Sequence, residues 1–178
     1  LALGWGLGKQ AWTQATGAPL KVALAQGNVP QSLKFEPGRY QSTLATYRKL
    51  VESSTAPLVI LPETAIPRFL HEVDARYLED LQDLMRSRGG DLLLGAPLRG
   101  SGGGYYNGVV SLGVSRTQVY SKTHLVPFGE FIPPGFGWIL GVLHIPLSDF
   151  SSGLAAQRPL ALLALAGRAD IRVAINIC

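Results

Sequence analysis

Three groups with complementary chemistry lie far apart in this sequence. They are a carboxyl at Glu63 in "ILPETAIP", an ammonium at Lys122 in "YSKTHLVPFGEF", and the thiol of Cys178, the only cysteine. A thiol attacks an acyl carbon only as its thiolate, so it needs a nearby base. A carboxylate can take that proton, and desolvation would raise its pKa toward a useful range. A lysine ammonium can stabilise the oxyanion of the tetrahedral intermediate, and Glu130 could keep that lysine oriented. Together these groups could perform acyl transfer.

Each of these residues also has an ordinary structural interpretation. Glu63 stands before a turn and could be a cap or an ion-pair partner, and Lys122 could be a solvated residue on an edge strand. Glu130 could merely hold a turn, and a lone cysteine such as Cys178 is often a buried small hydrophobic residue. Spacing alone does not decide between the catalytic and the structural interpretation.

The composition places the chain among folded, single-domain proteins. It has 178 residues, of which 47% are hydrophobic and 16% charged, so it can bury enough apolar surface to fold. The net charge is +4, but the basic residues are scattered among acids. A nucleic-acid partner is therefore not expected, because no basic stripe interleaved with aromatic residues occurs. The charge favours a weak attraction to anionic phospholipid head groups instead.

Neither a disulfide nor a metal site is expected. One cysteine cannot form an internal disulfide. The three histidines, His71, His124 and His144, are far apart and match no metal-ligand spacing. We expect no cofactor.

Residues 1–19 have the composition of a membrane boundary. No run of about eighteen apolar residues occurs, so nothing here would span a bilayer unaided. Trp5 and Trp12 flank Lys9 in an apolar, glycine-rich segment, which is typical of the last turns of a membrane helix leaving the interface. A frayed terminal segment is the alternative. A polar linker follows, and residues 20–178 are predicted to form one domain.

The hydrophobic pattern predicts strands and helices in alternation, followed by strands. The predicted strands are residues 20–29, 56–63, 91–98, 105–113, 117–125, 159–167 and 168–178. The predicted helices are residues 37–51 and the strongly amphipathic 74–88. This order indicates an α/β layered fold. Open α/β sheets bind ligands at the carboxyl ends of their strands, where Glu63 and Cys178 both stand.

Several motifs resemble, in order and in wording, the nitrilase-like domain of apolipoprotein N-acyltransferases. They are "LPETAIP", "YNGVVSLG", "YSKTHLVPFGEFIP" and "VAINIC", and the opening "KVALAQGNVPQSLKF" resembles that family's first strand and loop. The resemblance covers residues 21–178. Its most specific part is "K-x-H-L-V-P-F-G-E-F", because the wider nitrilase superfamily would share only the glutamate, the lysine and the cysteine.

The resemblance implies a fold and a reaction. The fold is a four-layer α-β-β-α sandwich, of which this chain would hold the N-terminal part. In the family this domain lies on the periplasmic side of the bacterial inner membrane. Glu63 matches the family's general base, Lys122 its oxyanion-stabilising lysine, Cys178 its nucleophile and Glu130 a second glutamate near the site. Cys178 would take a fatty acyl chain from a phospholipid as a thioester. The diacylglyceryl-cysteine amine of an apolipoprotein would then accept the chain. We expect a membrane-bound monomer.

Two aromatic regions are predicted to contact substrate. Phe35 stands where the family often has a tryptophan, and it keeps an aromatic wall there. The apolar segment 136–145, with Phe136 and Trp138, suits a mobile arm that dips into lipid. A loop packed under the core is the alternative for that segment.

The sequence ends at the proposed nucleophile, whereas members of the family continue beyond it. We therefore expect the domain to be truncated here and inactive by itself. Two other functions remain open at this point. One is a soluble nitrilase-type amidase that acts on a carbon–nitrogen bond, and the other is a non-catalytic, membrane-associated remnant.

Overall fold

The computed structural model describes residues 8–15, 17–100, 104–122, 163–164, 172–175 and 177. Their strands are β1 (Val22–Leu24), β2 (Leu58–Ile60), β3 (Asp91–Arg99), β4 (Tyr105–Gly113), β5 (Val119–Ser121), β6 (Leu163–Ala164) and β7 (Arg172–Val173). The two longer helices are α1 (Tyr40–Ser53) and α2 (Ala75–Ser87). Short 3-10 turns occupy Gln31–Leu33, Pro37–Arg39 and Leu70–Glu72.

The main sheet is mixed and has the order β1-β2-β3-β4-β5. β1, β2 and β3 are parallel, because α1 and α2 carry the chain back between them. β3 and β4 form an antiparallel hairpin paired from Asp91–Gly113 to Arg99–Tyr105, and β5 adds antiparallel to β4. β6 and β7 form a separate antiparallel pair. The α/β fold class predicted from the sequence is confirmed.

Both helices form where the apolar spacing predicts them. In α1 the buried side chains include Leu44, Tyr47 and Val51, which lie on one face. In α2 the fully buried side chains are Leu81 and Met85. The first helix starts later than predicted, because the chain forms a separate 3-10 turn at Pro37–Arg39 before it. The second helix starts after Asp74, whose side chain accepts a hydrogen bond from the backbone N–H of Arg76.

The central strands of the sheet are buried on both faces, whereas Val22 and Leu24 of β1 are exposed. One face packs on the two helices through the alternate strand residues Val59, Leu92, Leu94, Val110 and Leu112. The other face carries Leu58, Leu93, Val109 and Tyr120, which pack with Ile175 and, at the margin, with Val173 and Ile177. Residues in and after β7 therefore cover part of the face that the helices leave open. This begins the layered arrangement expected of a sandwich.

The first two strands are shorter than predicted. β1 and β2 each have three residues, although isolated bonds continue their ladders: Ala25 N–H donates to Ile60 O (2.9 Å) and Leu61 N–H to Leu93 O (2.8 Å). The second half of each apolar run has become a loop at the carboxyl end of the sheet. Those two loops supply the site described next.

The described part of the chain contains no helix long and apolar enough to cross a membrane. Trp12 is 70% exposed. The segment with Trp5, and most of the chain after Lys122, lie outside the described residues.

Candidate active site

Glu63 lies in a tight turn that begins directly after β2. The N–H of Ala65 donates to the carbonyl of Pro62 (3.2 Å), and Thr64 takes a left-handed conformation with φ of 50°. The turn packs so closely on β3 that a Cβ on Gly95 would lie 2.3 Å from the Pro62 carbonyl oxygen and 3.0 Å from Glu63 Cα. The strained backbone of Thr64 and the absence of a side chain at Gly95 together fix the backbone that carries the carboxyl.

The carboxylate of Glu63 receives a hydrogen bond from a buried amide. Nδ2 of Asn107, in β4, donates to Oε1 of Glu63 at 2.7 Å. Glu63 itself is exposed. The expectation that this carboxyl is desolvated is therefore wrong, because the turn leaves Glu63 at the surface. A donor aimed at the carboxylate stabilises its ionised form, which is the form a general base needs.

Lys122 is almost completely buried at the end of β5. Its backbone N–H donates to the carbonyl of Asn107 (2.7 Å), which extends the pairing of β5 with β4, and the residue is only 2% exposed. The interpretation of Lys122 as a solvated edge residue is therefore wrong. Lysine is rarely buried to this degree without a specific electrostatic role. In such surroundings an ammonium acts on a nearby negative charge far more strongly than it would in water.

Asn107 joins the two candidate groups, since its backbone bonds Lys122 and its side chain bonds Glu63. The other polar atom of the Asn107 side chain, Oδ1, is buried and has no hydrogen-bond partner among the described residues. That oxygen can accept a hydrogen bond from a substrate N–H. Asn107 lies in the motif "YNGVVSLG" but was not predicted as a site residue. The available signal was a polar amide within a strand that is otherwise mostly apolar.

A cavity of about 400 Å³ opens beside Glu63. Its polar lining is Glu63, Lys34, Gln26, Asn28 and Tyr47, and its apolar lining is Leu24, Ala25, Val29, Ile60, Leu61 and Pro62. Lys34 reaches in from the loop after β1, and its Nζ donates to the backbone carbonyl of Glu63 at 3.1 Å. Burial lowers the pKa of Lys34, and the attraction of Glu63 opposes that shift.

The structure thus links Glu63 and Lys122 through Asn107. It does not test the roles of the other predicted residues. Phe35 follows Lys34 and is 52% exposed. The remaining predicted site residues, Glu130, Phe136, Trp138 and Cys178, lie outside the described residues. Among the residues that the structure does describe, no cluster of three or more His, Cys, Asp or Glu could hold a metal ion.

Comparison with known families covers the part of the chain that carries Glu63 and Lys122. The family model for carbon-nitrogen hydrolases matches residues 21–142, which is more than half of the chain and includes Glu63, Asn107 and Lys122. The chain belongs to the carbon-nitrogen hydrolase family.

Relatives within the family carry a more specific name. An apolipoprotein N-acyltransferase of Nitrosomonas europaea is 48% identical over 179 residues, covering 99% of this chain and 35% of the relative. One of Chromobacterium violaceum is 44% identical over 184 residues, with 99% and 34% covered. The resemblance predicted from the motifs is confirmed. The chain spans about a third of the length of these curated relatives.

Solved structures give a weaker similarity. A crystal structure of an N-terminal amidase aligns with a TM-score of 0.42 and 17% identity, covering 60% of this chain and 28% of that one. The same amidase with a Gln-Val peptide gives 0.41 and 18%. Structural similarity at this level supports no conclusion about the fold or the function of this chain.

Proposed function

We propose that the protein transfers a fatty acyl chain from a phospholipid to the N-terminal diacylglyceryl-cysteine amine of apolipoproteins. The carrying observation is that Asn107 holds a carboxylate by its side chain and positions a buried ammonium by its backbone. These are the base and the oxyanion-stabilising group that acyl transfer requires. The names of its relatives support the choice of this reaction within the family.

In the first half of the proposed reaction, Glu63 takes the proton from the thiol of Cys178. The sulfur attacks the ester carbonyl of the phospholipid, and Lys122 stabilises the oxyanion that forms. The ester C–O bond then breaks, and the proton held by Glu63 passes to the departing lysophospholipid oxygen. A thioester on Cys178 remains. Splitting the exchange in this way replaces one difficult step by two easier ones.

In the second half, the α-amine of the acceptor attacks the thioester carbonyl. Glu63 takes the proton that the amine loses, an amide bond forms and the C–S bond breaks. The thiolate of Cys178 is released and recovers the proton from Glu63. Glu130, as a second glutamate, would keep Lys122 charged and oriented through this cycle.

The described residues lend support to the role of Cys178. Ile177, which precedes it in the chain, packs against the cluster that contains Tyr120. Tyr120 lies two residues before Lys122 on β5. The chain next to the thiol is therefore held on the face of the sheet from which the lysine comes.

The proposal includes a location and partners. The enzyme would act on the periplasmic side of the bacterial inner membrane, as a monomer, with a phospholipid and an apolipoprotein as substrates. The net charge of +4 favours contact with anionic lipid. The exposed Phe35, which follows Lys34 in the chain, together with the segment of Phe136 and Trp138, would contact acyl chains.

The test is to trap the thioester in the full-length protein. Incubation with a phospholipid that carries a labelled palmitoyl chain should label Cys178, and addition of a diacylglyceryl-cysteine peptide should discharge the label as an amide. Cys178→Ser should abolish labelling. Absence of hydroxylamine-sensitive label on the wild-type protein would refute the proposal. The 178-residue chain alone should show no turnover.

The same experiment distinguishes acyl transfer from an alternative that the family assignment favours. That alternative is hydrolysis of a carbon–nitrogen bond. An amidase would leave the phospholipid untouched and release ammonia or an amine from a soluble amide. A non-catalytic remnant would do neither.

A further inference from the structure

We infer that Lys34 is a positioning residue that holds the backbone of Glu63 in its working geometry. This inference rests on the proposed function, in which Glu63 is the general base. It adds a residue from the loop after β1 to a site otherwise built from β2, β4 and β5. The contact is the bond from Lys34 Nζ to the Glu63 carbonyl at 3.1 Å.

Lys34 spans two segments that the strand ladder does not join at this point. It follows the 3-10 turn Gln31–Leu33 and lies 29 residues before Glu63 in the chain. Both residues line the cavity. The N–H of Ile66 joins the end of the Glu63 turn to the carbonyl of Gly95 in β3 (3.2 Å), and the bond from Lys34 restrains the carbonyl of Glu63 within the turn.

The bond is made at an electrostatic cost. Burial lowers the pKa of Lys34, so part of the hydration of the ammonium has been given up. A neutral donor would hold a carbonyl with a smaller desolvation penalty. A cation at this position has a second effect, because its attraction to Glu63 also favours the ionised carboxylate.

Glu63 is consequently fixed at two points. Lys34 holds its main-chain oxygen and Asn107 holds its side-chain Oε1. A base that is restrained at both ends has little freedom to swing away from the proton it must take. Misplacement of a reacting group by about 1 Å can reduce the rate by about 100-fold.

The experiment compares three variants in the full-length protein. Lys34→Met removes the donor and the charge, Lys34→Arg keeps both, and Lys21→Met removes an exposed lysine that bonds Thr55 elsewhere. With a phospholipid donor and a lipopeptide acceptor, Lys34→Met should lower kcat by about 10- to 100-fold with KM changed less than twofold. Lys34→Arg should recover most of kcat, and Lys21→Met should match the wild type.

Two kinetic outcomes would overturn the inference. An increase in the phospholipid KM with unchanged kcat would mean that the ammonium binds substrate rather than the Glu63 turn. A kcat for Lys34→Met equal to that of the wild type would mean that the turn needs no such restraint. Thermal unfolding of each variant shows whether a lost rate reflects only lost folding.

A second readout does not depend on acyl transfer. Amide hydrogen exchange at Thr64, Ala65 and Ile66 should be faster in Lys34→Met than in the wild type, and unchanged in Lys21→Met. If the wild type transferred no acyl chain, the proposed function would fail, and exchange alone would decide whether Lys34 holds the turn. Equal exchange in all variants would refute the inference.

Discussion

The turn that carries Glu63 and the strand end that carries Lys122 differ in exposure and in what holds them. Glu63 is exposed and is held by hydrogen bonds from two distant segments. Lys122 is 2% exposed and is held by main-chain pairing with β4. Asn107 bonds both of them, Glu63 by its side chain and Lys122 by its backbone.

This difference matches the two kinds of chemical work. A general base must reach a proton on substrate or thiol, so it benefits from an accessible position with restrained geometry. A group that stabilises an oxyanion benefits from low dielectric, where its charge is least screened. Accessibility for the carboxylate and burial for the ammonium are thus the expected division within one site.

The largest effect is expected from removing the buried charge. Lys122→Met should lower kcat by about 100- to 1,000-fold, the loss usual for a deleted oxyanion donor. The same change should also lower the free energy of unfolding, because Lys122 interacts with other groups of the structure and removing one member of a buried interaction is destabilising. Steady-state kinetics measures the change in kcat, and urea unfolding measures the change in the free energy of unfolding.

Glu63→Gln sharpens this contrast. It should also lower kcat strongly, by about 100-fold or more, but with little change in stability because the residue is exposed. Lys49→Met, at an exposed position on α1, is the control and should change neither quantity. If Lys122→Met destabilised the protein without reducing kcat, the lysine would be structural and the comparison would fail.

A smaller effect is expected from the residue that joins the two regions. Asn107→Leu removes a hydrogen bond to a carboxylate, a contact worth about 1.5–3 kcal/mol, so kcat should fall by about 10- to 100-fold. Measuring kcat and KM separately shows whether the loss lies in the chemical step.

Ser111→Ala is the matched control for Asn107→Leu. Ser111 lies on the same strand and the same face, is fully buried, and accepts a hydrogen bond from the N–H of Gln118 at 2.9 Å. Its loss should reduce stability and leave kcat unchanged. Equal kinetic losses in both variants would mean that Asn107 acts only through the folding of β4.

The sequence predicted the elements better than it predicted the local environments. The alternation of strands and helices, and the place of Glu63 after a strand, followed from apolar runs that end in polar residues. The exposure of Glu63 did not follow, because it depends on how the turn packs against β3, at a close approach to Gly95 that involves residues about thirty apart. The burial of Lys122 and the part played by Asn107 likewise arise from strand pairing, which residue spacing does not encode.

The helix layer over the sheet carries a partly buried ionisable group outside the site, Tyr77 of α2. Burial raises the pKa of Tyr77 to about 12, although the nearby Arg48 lowers it, and the hydroxyl donates to the carbonyl of Leu44 at 3.0 Å. Since the unfolded chain loses this proton near the ordinary tyrosine pKa of 10.0, stability should fall as the pH rises from about 10 to about 12.

Tyr77→Phe tests whether burial here has only a structural effect, in contrast to Lys122. The variant should lose about 1 kcal/mol at neutral pH with the hydrogen bond to Leu44. Its stability should then fall less steeply than that of the wild type between about pH 10 and pH 12. Tyr40 and Tyr47, whose pKa values burial also raises, remain in both proteins, so the difference in slope isolates Tyr77. Urea unfolding at several pH values measures both slopes. Parallel slopes, or a change in kcat at neutral pH beyond that expected from stability, would show that the helix-covered face is not separate from the catalytic end of the sheet.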